Sequence, residues 1–289
     1  MNDNYVNFKK QRELGAILTD TFKFIRLECK PLGGMILKYA GPALLIVIFA
    51  YIYYMQTTLG NLGLLNTAMD FGAYTAGIFI ALLLLMVSGL AFYALLYGTI
   101  IHYVKIYIAN NGVVDKKEVS QGIKKDFWRL FGLTFLVGIM AGIGLVLCII
   151  PGIYLGTVLA STYAILVIER RGISDSISYS FDLIRGEWWI TFATYLVIFL
   201  LFYLITFVFN IPQYIYFFVQ TFVRSQEISA DPTAMFDWIY FALNGIALLA
   251  QYLLHSLIVI ATILVYYNLN EKKHLTGTME TIDNLGKQQ

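Results

Sequence analysis

The chain has 289 residues, of which 59% are apolar and 13% charged, with a mean hydropathy of +0.71. A soluble domain carries about 25% charged residues, so a water-soluble globule is excluded. A formal charge of +2, from 20 Lys and Arg against 18 Asp and Glu, gives no cationic stripe, and nucleic acid is excluded as a partner.

The chain opens on a charged stretch that carries Lys9, Lys10, Arg12, Asp20, Lys23, Arg26, Glu28 and Lys30. It lacks the apolar core and small-residue cleavage site of a signal peptide, so it is expected to stay attached. Within it, Leu14, Leu18, Phe22, Ile25 and Cys29 recur at helical spacing and predict an amphipathic helix.

Five charge-free runs follow, 39–69, 71–104, 130–168, 188–223 and 238–270. A spanning helix needs about 20 apolar residues, because a backbone amide left unpaired in hydrocarbon costs several kcal/mol. The third run would be about 58 Å long as one helix, twice the hydrocarbon thickness of about 30 Å. Pro151-Gly152 near its middle predicts a hairpin there, which makes six spans. In the fourth run, Asn210-Ile-Pro212 is expected to break the helix after one crossing. The aromatic piece behind it (Tyr214, Tyr216, Phe217, Phe218, Phe222) is then expected to lie at the outer interface. Cys29 and Cys148 fall near opposite ends of these spans and are expected to be free thiols.

Charge placement tests this parsing. With six spans, 19 of the 20 Lys and Arg share one side with both termini, and only Arg224 lies opposite, beside Asp70, Glu227, Asp231 and Asp237. A second crossing of the fourth run would reduce the asymmetry to 16 against 4. The positive-inside rule therefore predicts cytoplasmic N- and C-termini.

A charged amphipathic stretch precedes each predicted hairpin. The first and third align at a constant offset of 159, Leu14, Leu18, Phe22, Ile25 and Cys29 falling on Ile173, Ile177, Phe181, Ile184 and Trp188. Phe22-Lys-Phe-Ile-Arg-Leu-Glu28 matches Phe181-Asp-Leu-Ile-Arg-Gly-Glu187 at four of seven positions. The central stretch opens on Asp115-x-x-Glu118, resembling a capping box, and agrees over Ile123-Lys124-x-Asp126, Trp128 and Phe131. The expected fold is an all-α polytopic membrane protein of six transmembrane helices in three hairpins, each preceded by a cytoplasmic-side amphipathic helix. Its units are 12–108, 115–169 and 173–270, with a tail at 271–289, in a single membrane domain. Two readings of the amphipathic helices stand side by side: they lie in the lipid interface, or they pack on one another as a cap.

Polar side chains inside a membrane are the default functional candidates. Asn244, Gln251 and His255 are separated by 7 and 4 residues and share one face of the last span. They line a path for a substrate or proton, or they bond between helices. Arg26 and Arg185, each two residues before a glutamate, are candidate contacts for lipid headgroups or partners of neighbouring acids. Gly138-x-x-x-Gly142, with Gly144 beyond, is read as helix packing. Catalytic motifs are absent, no cofactor or metal is expected, and His102, His255 and His274 cannot supply a four-histidine iron centre.

Four segments carry a resemblance: Arg12-Glu-Leu-Gly-Ala-Ile-Leu-Thr-Asp-Thr-Phe22, Ile150-Pro-Gly-Ile-Tyr154, Ser180-Phe-Asp-Leu-Ile-Arg-Gly-Glu-Trp-Trp189 and Tyr266-Tyr-Asn-Leu-Asn-Glu-Lys-Lys273. Together they resemble a broad bacterial group of six-span membrane proteins that includes the membrane domain found beside glycerophosphodiester phosphodiesterases. The resemblance implies six helices and an inner-membrane location. It carries over no catalytic residue, because the soluble phosphodiesterase domain has no counterpart in this chain. The expected function is a non-enzymatic inner-membrane scaffold or accessory subunit contacting lipids, partner membrane proteins or further copies of itself. The alternative is a small-molecule or lipid permease that uses the polar face of the last span; an intramembrane enzyme ranks third.

Overall fold

The computed structural model describes residues 5–59, 71–225, 236–279 and 282, and all regular structure among them is helical. The expected loop charges Asp70, Glu227 and Asp231, and Lys287 in the tail, lie outside the described residues. In chain order the helices are α1 (Leu14–Tyr39), α2 (Gly41–Leu59), α3 (Phe71–Ala109), α4 (Lys116–Leu147), α5 (Ile149–Leu159), α6 (Thr162–Ile168), α7 (Ile173–Ile184), α8 (Trp188–Val223) and α9 (Trp238–His274). Six stretches are long and apolar enough to cross a membrane: Gly41–Thr58, Thr75–Ala109, Lys116–Leu147, Ile149–Ile168, Trp188–Val223 and Trp238–His274. The protein is an all-α integral membrane protein.

Two compact units divide the described chain. The first comprises 1–40, 93–201 and 256–289; the second comprises 41–92 and 202–255. The division follows charge, since the first unit holds 19 of the 20 Lys and Arg and the second only Arg224.

The hairpin in the third run turns at Cys148, three residues ahead of the expected Pro151-Gly152. Cys148 is extended (φ −171°, ψ 148°) and α5 begins at Ile149. Pro151 is thus the third residue of a new helix, where the missing N–H is one the first turn leaves unpaired anyway. Gly144 and Gly152 then seat α5 against α4: a β-carbon on Gly152 would lie 2.5 Å from Leu145 Cδ2, and one on Gly144 would lie 3.0 Å from the Gly152 Cα. A β-carbon on Gly138 or Gly142, both expected to pack, would meet nothing within 4 Å, so of the three glycines in that stretch only Gly144 makes the close approach.

The fourth run is also corrected. α8 continues through Asn210 and Pro212 to Val223 over 36 residues, about 54 Å, and the aromatic piece forms its last turns and is not set off by a break. A proline in a helix interior costs about 3 kcal/mol, yet the helix runs on past it, although Trp188 to Asn210 alone makes about 35 Å, enough for one crossing. In the second unit, α8 meets α9 where the Tyr216 hydroxyl donates to Asp237 and Arg224 Nη1 lies 3.8 Å from the same carboxylate. α2 meets α3 at Gly77, where a β-carbon would be 3.3 Å from Thr57 Cγ2.

The repeat is written into the core of the first unit. Thr21, Val119 and Ser180 are equivalent by the offsets of 98 and 159, and all three are buried. The same holds for Leu32, Leu130 and Thr191, for Met35, Leu133 and Thr194, and for Ile36, Thr134 and Tyr195. Four inward positions therefore recur in three sequence units. The stripe expected to be the apolar face of α1 is a different one. The protein-facing stripe is Ile17, Thr21, Phe24, Leu32, Met35 and Ile36. Leu14, Leu18 and Ile25 are half-buried, and Phe22 and Cys29 are exposed. Helix α1 thus has one broad apolar face, and hydropathy alone does not say which edge of it meets protein.

Candidate functional site

Each of the three repeated stretches carries an acid at an equivalent position: Glu28 within α1, Asp126 within α4 and Glu187 between α7 and α8. The Tyr103 hydroxyl donates to Glu28 at 2.5 Å, Asp126 Oδ2 lies 3.1 Å from His102 Nε2, and Lys272 Nζ donates to Glu187 at 2.7 Å. Three repeated acids are thus anchored to the ends of α3 and α9. Arg26 and Arg185, adjacent in sequence to two of them, are not their ion-pair partners and remain exposed. Arg26 lines a shallow cleft on α1 with Thr19, Phe22, Lys23 and Ile25.

His102 and Asp126 are both over nine-tenths buried. Their contact depends on Gly122, where a β-carbon would stand 2.3 Å from His102 Nδ1, so the imidazole lies directly on the α4 backbone. Asp126 also accepts from Arg129 Nη1 at 3.2 Å, and Arg129 Nη2 donates to the Arg171 carbonyl. Lys105 Nζ closes the end of α6 by donating to Val167 O at 2.9 Å.

The N-terminal strap 5–13 is tied to this unit by Arg12, whose guanidinium is fully enclosed. It donates to Asp20 Oδ2 at 2.9 Å, to Phe8 O at 2.7 Å, and to the carbonyls of Lys10 and Asn7. Burial lowers the Arg12 pKa and Asp20 opposes that effect. For Asp20 burial acts upward, but Arg12 and Lys10 outweigh it and hold the carboxyl below its ordinary range. The Arg12 backbone N–H donates to Asn268 Oδ1 at 2.7 Å, and Val6 N–H donates to the Tyr107 hydroxyl at 3.0 Å. Phe8, wholly buried, meets Phe24 edge-on at 5.2 Å and Tyr267 at 5.9 Å. Burying one such ring is worth about 2 kcal/mol.

The segment Tyr266 to Lys273 is a junction. The Tyr266 hydroxyl donates to Glu169 at 2.9 Å, and Lys273 donates to Asp182 O at the end of α7. Glu271, 2% exposed, accepts from the backbone N–H groups of Gly277 and Thr278 and from two threonine hydroxyls. Gly277 lets that tail lie on the strap, since a β-carbon there would be 2.3 Å from Lys9 O.

Asn244, Gln251 and His255 lie in the second unit, all half-buried on α9. Asn244 hydrogen-bonds the Tyr51 hydroxyl of α2, and the His255 ring meets Phe202 of α8 edge-on at 5.9 Å. The structure therefore gives Asn244 and His255 separate neighbours on two helices. None of the four clefts described in the protein is lined by these three residues. Among the described residues no three His, Cys, Asp or Glu side chains are grouped to hold a metal ion.

The three larger clefts all lie in the charged unit. One, of about 530 Å³, is lined by Lys30, Lys38, Lys116 and Lys117 beside Pro31 and Met35. A second, of about 580 Å³, opens between Lys105, Glu169, Arg171, Tyr179 and His274. There the Arg171 guanidinium stacks 3.9 Å from the Tyr179 ring and the Tyr179 hydroxyl lies 2.9 Å from His274 Nε2. The third contains His102, Lys105, Asp126 and Arg129. The spacing of polar residues within spans could not find these places, because each is assembled from helix ends distant in sequence. Gly122 four residues ahead of Asp126 was the one local signal.

Comparison with protein-family models, curated proteins and solved structures gave no match.

Proposed function

We propose that this chain is a non-enzymatic integral protein of the bacterial inner membrane, its charged unit and both termini in the cytoplasm, acting as a scaffold or accessory subunit. We relate it to the six-span group that includes phosphodiesterase-associated membrane domains. The observation that carries the reading is the outer edge of the apolar face of α1. Leu14, Leu18 and Ile25 are half-buried and Phe22 is exposed beside the exposed Arg26 and Lys30, while the neighbouring stripe of the same helix packs on the protein. A helix with that division seats its outer stripe in lipid or against a partner, with its cations at headgroup level. Its three repeated acids serve as anchors, since each is tied to a neighbouring helix.

A photoreactive residue replacing Phe22 tests this in native membranes. Adducts with lipid or with one recurring membrane protein support the reading; a residue that reacts only with water overturns it. The permease reading keeps one supporting observation, the half-buried polar face of Asn244, Gln251 and His255. It requires that replacing all three by Ala abolish uptake of a small molecule while the protein stays folded.

A further inference from the structure

The cleft between the end of α3, the first turns of α4 and the α6–α7 loop encloses about 530 Å³. Four cations line it, Lys105, Lys125, Arg129 and Arg170, against the two carboxylates Asp126 and Glu118. Asp126 is already engaged by His102 and Arg129, and Glu118 is exposed. Lys105 is positioned by the Val167 carbonyl and Arg129 by the Arg171 carbonyl, contacts that fix both side chains and leave their charge intact. The floor exists because residue 122 is glycine, which lets the His102 ring lie flat on α4.

Arg170 adds an independent sign. It directly follows Glu169, which caps α6, and holds a left-handed backbone (φ 56°). Glycine takes that position without strain, whereas a residue with a β-carbon is strained there. The chain nevertheless places a guanidinium there, on the rim of a cleft that already contains three other cations. Backbone strain held at one residue is a mark of function when that residue's side chain meets a site.

We propose that this cleft binds a phosphate group, either free phosphate or the phosphodiester of an anionic lipid headgroup, through Lys105, Lys125, Arg129 and Arg170. Arginine forks match pairs of phosphate oxygens, and the lysines add point charge. The assignment does not depend on the scaffold reading, because it concerns a site enclosed within one unit.

The test uses the full-length protein in phosphatidylcholine nanodiscs titrated with inorganic phosphate. Matching discs that contain phosphatidylglycerol are extracted, and retained lipid is counted by native mass spectrometry. Arg170→Gly removes the guanidinium and relieves the strain, so it is expected to weaken binding roughly tenfold, the loss of one charge-assisted hydrogen bond, with Tm unchanged or raised. Lys125→Gln is expected to weaken binding similarly. Saturable phosphate binding that Arg170→Gly weakens identifies a soluble source, and retained phosphatidylglycerol lost in that variant identifies a lipid one. Failure of the wild-type protein to bind either probe overturns the proposal, as does binding that both variants leave unchanged. So does an equal loss in Lys273→Gln, whose ammonium lies outside the cleft on Asp182 O.

Discussion

Arg12 shows how one residue can hold a segment that has little regular structure of its own. Residues 5–13 are not helical, yet Val6 and Phe8 are buried, because the Arg12 guanidinium satisfies three strap carbonyls and one carboxylate. Removing one partner of a buried ion pair is strongly destabilising, since the other polar groups lose their compensation. Arg12→Ala is therefore expected to weaken the strap by on the order of 3 kcal/mol, seen as roughly hundredfold faster hydrogen exchange at Val6 and residue 12. Unchanged exchange at those two amides would refute this role. Acid should loosen the same segment. Asp20 has a folded pKa held down by Arg12 and Lys10 against burial, so its contribution is complete above the ordinary carboxylate range and disappears as pH falls through the lowered folded value. Protection factors of the strap amides, corrected for intrinsic exchange, should fall in that acid window, and Asp20→Asn should flatten the response. Little of this was legible beforehand, because Arg12 was visible only as a member of a charged stretch and of a familiar motif.

At the scale of elements, the middle hairpin differs from the others. From Leu130 to Leu147 its first helix has 18 charge-free residues, about 27 Å, close to the hydrocarbon thickness of about 30 Å. Its tip carries no charge: Val146 is 88% exposed, Leu147 77%, Ile149 68% and Ile150 76%, with Cys148 exposed between them. Such a patch is costly in water and comfortable in lipid. A fluorophore on Cys148, in a Cys29→Ser background, is expected to be quenched by a lipid-borne quencher several-fold more than by aqueous iodide; the reverse ranking would place the tip in water. The helices were legible as charge-free runs, but their ends were not. In sequence Pro151 and Pro212 both predict breaks, yet one sits in a first helical turn and the other inside a continuous helix, since a proline's effect depends on whether the freed carbonyl finds a partner.

For the whole molecule, the contact-based units and the charges divide the chain alike, with 19 of 20 Lys and Arg in one unit. The positive-inside rule then predicts which unit faces the cytoplasm. In a chain freed of native cysteines, Ser225→Cys next to Arg224 should react with a membrane-impermeant maleimide on intact cells, and Lys124→Cys should react only after permeabilisation. Labelling of both from one side would contradict six crossings and the orientation together.

The sequence by itself determined that the chain is all helical and that it crosses a membrane, because lipid forbids unpaired backbone and long charge-free runs admit few alternatives. It also carried the repeat, whose register reappears at Thr21, Val119 and Ser180 in the core. Only the tertiary structure decided which edge of the apolar face of α1 meets protein, which glycine seats α5 on α4, and which cations share a cleft. Those outcomes rest on contacts between helix ends remote in sequence, such as His102 on Gly122 and Lys272 on Glu187, to which a pattern along one helix is blind.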